Sequence, residues 1–176
     1  MRVRLIIEAG LRGSGMATTD DNEVFQRIKQ FLDTAEVSYE MREHAPTFTS
    51  AQSAAARGED LSTGAKALLI KCDGDFRLFV IPADRTLDSK AAKKSLGIRK
   101  MRFATKEELL DKTGLVPGAV PPFGEPVLPF PLHIDQQLNQ NERVAFNAGM
   151  LTRSIIISGA DYARVAGGRT GTFATS

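Results

Sequence analysis

The sequence predicts one mixed α/β domain, a partly closed sheet with helices packed outside it. Three observations carry that expectation. Segments with apolar residues at helical spacing alternate with apolar runs of strand length; the alternation is not the strict strand-helix-strand order of a parallel sheet; and Asp73-Gly74-Asp75 divides two such runs as a hairpin turn does. The chain has 176 residues and is 42% hydrophobic, enough to bury an ordinary core.

Taken in order, residues 1–15 show no amphipathic period and are read as an extension outside the domain, non-native or disordered. Met16 then reads as the natural start, and residues 16–176 as the domain. Val24, Phe25, Ile28, Phe31, Leu32 and Ala35 recur at helical spacing behind the acidic caps Asp20 and Asp21. Residues 37–41 predict a short strand, and Thr49-Ser-Ala-Gln52 a capping box for a helix that Gly58 ends. Residues 65–72 and 76–81 predict the two strands of the hairpin. A helix over 87–96, a strand over 99–103, and a second capping box at Thr105-Lys-Glu-Glu108 with a helix to Lys112 follow. Strands are expected over 128–135, 143–147 and 154–158. Ser158 caps a last helix through Val165, and Gly167 and Gly168 open a frayed tail.

Between the two halves lies Gly114-Leu-Val-Pro-Gly-Ala-Val-Pro-Pro-Phe-Gly124, with three glycines and three prolines in eleven positions. Glycine admits positive φ and close approach, while proline fixes φ, so this is a rigid loop of defined shape. It suits either a plain connecting turn or a binding loop with free backbone N–H groups.

Composition excludes more than it assigns. A formal net charge of +2 is too balanced to identify a nucleic-acid partner, and the single cysteine, Cys72, rules out an internal disulfide framework and agrees with a reducing cytoplasm. No apolar run is long enough to cross a bilayer. There is no phosphate-binding loop, dinucleotide fingerprint or nucleophile elbow. With only His44 and His133 as histidines, no metal or other cofactor is expected. Lys66 interrupts the head of an apolar strand, where its ammonium either snorkels to water or reaches a cavity. Lys90, Lys93, Lys94, Arg99, Lys100 and Arg102 crowd one helix and the strand after it, as either a solvated face or a stripe for RNA phosphates.

Four stretches in this order, Gly64-Ala-Lys66-Ala-Leu-Leu-Ile-Lys71, the Gly114–Gly124 loop, Val144-Ala-Phe-Asn147-Ala-Gly149 and Ser158-Gly-Ala-Asp161-Tyr, resemble the YbaK-like, prolyl-tRNA-editing family of aminoacyl-tRNA deacylases. The resemblance spans about residues 20 to 167. It implies a curled, largely antiparallel, barrel-like sheet around a pocket, and hydrolysis of the ester joining a wrong amino acid to tRNA, here tRNA for proline, by a free-standing protein. Lys66 then falls on the family's essential lysine and Gly118 in its glycine- and proline-containing loop that borders the aminoacyl site, where rigid backbone N–H groups suit an oxyanion. Gly114, Pro117, Pro122, Phe123, Gly124, Asn147 and Gly149 are implied to border the substrate; beside them His44 and Thr47 are candidates for the pocket mouth, His44 alternatively a loop residue satisfied by backbone groups, and Lys90, Lys93, Lys94 and Arg99 are the tRNA-binding candidates of the basic stripe. Mischarged tRNA is the implied partner, with a transient association with prolyl-tRNA synthetase and no membrane contact. Some alanine-specific members carry histidine where Asn147 stands, so the resemblance leaves alanine, cysteine, serine and threonine open. A catalytically idle RNA- or protein-binding module on the same fold is the alternative.

Overall fold

The computed structural model describes residues 4–6 and 22–175. Its strands are β1 (Arg4–Ile6), β2 (Tyr39–Glu43), β3 (Ala65–Cys72), β4 (Asp75–Pro82), β5 (Met101–Phe103), β6 (Leu132–Asp135), β7 (Arg143–Asn147), β8 (Arg153–Ser158) and β9 (Arg169–Gly171). The helices are α1 (Glu23–Thr34), α2 (Ser50–Arg57), α3 (Ser89–Leu96), α4 (Lys106–Thr113) and α5 (Gly159–Val165).

The strands form two sheets, ordered β1-β2-β8-β7 and β5-β3-β4-β6-β9. Four of the seven ladders are antiparallel. The sheets meet where Gly64 bridges Ala145, so the expected barrel-like curl is instead a pair of sheets joined at one corner. The larger core fills the space between them. Val24, Phe25, Ile28 and Leu32 of α1 pack there with Leu69, Leu78 and Val80 of one sheet and Val144, Phe146, Ile155 and Ile157 of the other. Each such side chain contributes about 1.5 to 3 kcal/mol on burial. A smaller core lies on the opposite face of the five-stranded sheet, where α3 covers Ile70, Cys72, Phe79 and Ile81. Cys72 is therefore a packed hydrophobe.

The caps are mostly where the sequence puts them. Thr105 and Glu108 complete a reciprocal box on α4, while Gly58, Gly97 and Gly114 end α2, α3 and α4 in the left-handed conformation. At α2 the Thr49 hydroxyl caps Gln52, but the Gln52 side chain reaches back to the Phe48 N–H instead of that of Thr49. Asn22 caps α1; Asp20 and Asp21 lie outside the described residues.

Three expectations change. The strand read over 128–135 begins only at Leu132, because Pro126, Pro129 and Pro131 remove ladder donors before it. The frayed tail is ordered: β9 pairs in parallel with β6, and the fully buried Asp135 carboxylate accepts from the Phe173 and Ala174 N–H groups at 2.7 and 2.8 Å. Arg4–Ile6 runs parallel to β2 as an edge strand, an element absent from the sequence reading.

His133 marks the cost of that packing. It is 5% exposed, stacks on Phe79 at 4.8 Å and meets Phe173 edge-on, and neither ring nitrogen has a hydrogen-bond partner among the described residues. Burial, helped by Arg77 and Arg169, pushes its pKa down to about 4, so the ring is a neutral aromatic at physiological pH. Because the folded value lies below the ordinary one, the unfolded chain binds the extra proton between about pH 6.5 and 4. Stability should therefore be full above that window and fall through it on acidification, by up to about 1.4 kcal/mol per pH unit. His133→Phe should remove this slope and raise the melting temperature by several degrees at pH 5, as read by thermal unfolding at pH 5 and 7.5.

Candidate active site

A cavity of about 300 Å³ opens where the two sheets meet, walled by the head of β3, α2, the loop through Gly118 and the end of β7. Its geometry follows from local sequence. Gly64 lies so close to the β4 turn that a Cβ would sit 2.8 Å from the Ala83 Cβ, which lets β3 start flush against the corner. Gly118 has φ of +89°, a turn that directs the Pro117–Val120 stretch along the cavity wall. Gly58 stops α2 immediately after Arg57, so the arginine leaves the last helical turn and enters the protein.

Arg57 is 5% exposed and organises the polar floor. Its Nε donates to Ser154 Oγ at 2.8 Å and its Nη2 to Asn147 Oδ1 at 2.9 Å. Burial pushes its pKa down to about 10, partly opposed by Glu59, so the guanidinium stays charged at neutral pH. Asn147 donates from Nδ2 to the Gly118 carbonyl at 2.8 Å, pinning the loop to β7. The Thr47 and Ser53 hydroxyls bond each other at 2.8 Å, and both lie 3.5 Å from Asn147 Nδ2. Two hydroxyls, an amide and a guanidinium thus line one side.

Lys66 lines the same cavity, half-buried. Its ammonium donates to the Arg85 carbonyl at 2.5 Å; desolvation lowers its pKa and the nearby Asp84 opposes that shift. No acceptor pairs with the Gly118 N–H among the described residues. Apolar Ala65, Ala67, Leu68 and Val120 complete the walls, and Phe48, 71% exposed, stands at the rim. A smaller cavity of about 140 Å³ adjoins this one and shares Ala67, Leu68, Gly118 and Val120 with it.

A serine–histidine pair lies just behind the floor. His44 Nδ1 lies 2.9 Å from the Ala45 carbonyl and Nε2 lies 2.7 Å from Ser154 Oγ, whose hydroxyl also donates to Asn147 Oδ1 at 3.1 Å. Ser154 is fully buried, does not line the cavity and is already held by Arg57, so the pair positions the floor and offers no nucleophile. Among the described residues no group of three or more potential metal ligands gathers.

Of the residues expected from the sequence, Lys66, Thr47, Gly118 and Asn147 come together on the cavity wall. Pro117 lines the adjoining notch, and His44 sits one side chain behind the floor. The others fall in structural positions. Gly114 caps α4, the Pro122 carbonyl accepts from the buried Tyr162 hydroxyl, and Phe123 packs among Phe31, Phe146 and Tyr162. Gly124 would clash with the Phe130 carbonyl if it carried a Cβ, and Gly149 packs against the start of α1. Lys90, Lys93, Lys94 and Arg99 lie on α3 and the turn after it, with no carboxylate within 4.0 Å of their side-chain nitrogens among the described residues. The sequence reading missed Arg57, Ser53 and Ser154. Arg57 had a signal: it is the one charged residue of an alanine-rich helix, placed against its stop glycine.

Residues 44–165 match the aminoacyl-tRNA editing domain. Over 116 residues the chain is 38% identical to the multifunctional Ser/Thr-tRNA deacylase ProXp-y of Escherichia coli (strain K12), covering 62% of this chain and 68% of that protein. A proline--tRNA ligase of Shouchella clausii is 31% identical over 97 residues, 55% of this chain but only 17% of the ligase. The fold matches the crystal structure of a candidate trans-editing enzyme for prolyl tRNA synthetase with a TM-score of 0.75 at 22% identity, covering 89% of this chain and all of that one. The match over residues 44–165 and the likeness to the Escherichia coli deacylase show that the chain belongs to the aminoacyl-tRNA editing family and is an aminoacyl-tRNA hydrolase.

Proposed function

We propose that this cavity removes a small hydroxyl-bearing amino acid, serine or threonine, from mischarged tRNA, with tRNA for proline among its substrates, acting in the cytoplasm and in passing contact with prolyl-tRNA synthetase. The observation that carries this reading is the polar set of Thr47, Ser53, Arg57 and Asn147 lining, together with Lys66, one cavity of about 300 Å³. An apolar pocket discriminates by only about 1 to 3 kcal/mol per methylene, whereas a site that hydrogen-bonds a substrate hydroxyl disfavours the analogue that lacks it, because its own polar groups are then left unpaired. The Ser/Thr activity named for the Escherichia coli relative points the same way.

The reaction asks little of the protein. Water adds to the ester carbonyl, the tetrahedral oxyanion collapses, and the ribose oxygen leaves with a proton, giving free amino acid and uncharged tRNA. The Gly118 N–H can donate to the oxyanion without reorganising, an effect worth about 2.7 to 4 kcal/mol for one donor. An ester already oriented next to a ribose hydroxyl needs no protein nucleophile. Lys66, steadied by Arg85 and Asp84, anchors the terminal nucleotide beside the reacting carbonyl. The α3 stripe of Lys90, Lys93, Lys94 and Arg99 meets phosphates of the acceptor stem.

Three measurements test this reading. Lys66→Ala should slow single-turnover deacylation of seryl-tRNA at least about tenfold, some 1.4 kcal/mol of transition-state stabilisation, with unchanged circular dichroism. Wild-type rates in that variant would remove Lys66 from the mechanism. Thr47→Val should lower kcat/KM for seryl-tRNA about tenfold while leaving alanyl-tRNA within about twofold; equal losses on both would mean that the floor does not read the hydroxyl. Reversing Lys93 and Lys94 to Glu should weaken tRNA binding and flatten its salt dependence without changing the rate at saturating substrate, and an unaltered salt slope would put the tRNA on another face.

A further inference from the structure

The five-stranded sheet leaves part of an edge open beside the active site. β5 pairs with β3 only over Ile70, Lys71 and Cys72, so among the described residues the head of β3 has no strand neighbour on that side within its sheet. The Gly64 carbonyl accepts from Ala83 and the Leu69 carbonyl from Ala104, which means that even-numbered residues turn their backbone groups toward β4 and odd-numbered ones turn theirs outward. Ala67 therefore presents its N–H and C=O at the open edge, between the main cavity and the notch of about 140 Å³, both of which it lines.

The notch has an unusual wall for a surface recess. Phe103 of β5 lines it while 57% exposed, together with Leu68, Leu109 and Pro117, and Lys106 stands at its rim. Leu110 and Val116, 55% and 46% exposed, extend the apolar surface along α4 and the loop that follows it. Beyond Phe103 the same edge turns basic. Lys71, Lys100 and Arg102, with Asp73 whose carboxylate is taken up by the Arg99 and Lys100 backbone N–H groups, surround a shallow groove at the hairpin turn, and Arg102 and Lys71 share the carboxylate of Glu108. Neither Lys100 nor Lys106 has a carboxylate within 4.0 Å among the described residues. Along one strand edge there is thus a reaction cavity, then an aromatic wall beside open backbone groups, then cations.

That order matches an unpaired RNA end carrying its ester at the tip. Single-stranded RNA is recognised by stacking bases on aromatic faces and by hydrogen-bonding their edges, with cations along the phosphates. We propose that the notch receives the base of the penultimate nucleotide at the RNA 3′ end, stacked on Phe103 with its edge on the Ala67 backbone and its phosphates toward Lys106 and Lys100. The inference rests on the deacylase reading for what fills the neighbouring cavity, but its test does not need turnover.

The probe is an uncharged RNA microhelix ending in an unpaired CCA, compared with the same microhelix trimmed to a blunt end, and binding is read by fluorescence anisotropy. Phe103→Leu keeps an apolar side chain of similar bulk on an exposed edge strand, so the fold is preserved, and melting temperature checks that. It should raise Kd for the CCA-ended microhelix about tenfold and leave the blunt one unchanged, while Phe103→Trp should bind at least as tightly as wild type. If wild-type protein deacylates mischarged tRNA but Phe103→Leu binds the CCA end as wild type does, the notch assignment falls and the deacylase reading stands. A wild type that binds the CCA end through Phe103 yet hydrolyses no ester would uphold the notch and overturn the deacylase reading. Equal loss on CCA-ended and blunt RNA would also overturn the proposal, because the phenylalanine would then be supporting the surface and not a base.

Discussion

The buried guanidinium of Arg57 is the interaction on which the cavity depends. It joins α2 to β8 through Ser154 and to β7 through Asn147, and Asn147 in turn holds the Gly118 carbonyl. One cation thereby fixes three segments far apart in sequence. Its partners are neutral, and among the described residues no carboxylate forms an ion pair with it within 4.0 Å; the charge of Glu59 partly offsets the lowering of its pKa by burial. A cation kept in so dry a place is poised to favour any partial negative charge brought into the cavity.

The two-sheet arrangement explains why the site lies where it does. Each sheet is fully partnered along most of its length, and the corner is where pairing gives out: a single bridge between Gly64 and Ala145 replaces a ladder. Backbone groups and side chains released from pairing there are free to serve a ligand. This is the same reasoning that places binding sites where strand order breaks in open α/β sheets, reached by a different topology.

Much of the scaffold was legible because it is written locally. The period of α1, the Asp73-Gly74 hairpin and the Thr105 capping box each encode their structure within a few residues. Of the site, Lys66, Thr47, Gly118 and Asn147 could be assigned only because motifs in order resemble a family, since nothing in their spacing brings residues 47, 66, 118 and 147 together. Arg57 and Ser154 escaped because their roles exist only after α2 packs on β8. Pro122, Phe123 and Gly124 sit in the loop whose composition suggested binding, yet the Phe123 ring is drawn into the core by three aromatic neighbours. A Pro/Gly-rich loop states that its shape is rigid, not which of its faces meets a ligand.

The C-terminal strap reaches further than its short strand suggests. Asp135 fastens Phe173 and Ala174, and Thr175 then bonds the Thr86 backbone and takes a hydrogen bond from the Arg85 side chain. Arg85 is also the residue whose carbonyl holds the Lys66 ammonium. The lysine at the head of β3 is therefore linked through Arg85 to Thr175, in a C-terminal segment with little sequence signal of its own. Substitutions at 173–175 would reach the lysine through Arg85, changing the setting of the cavity while every residue that lines it stayed the same.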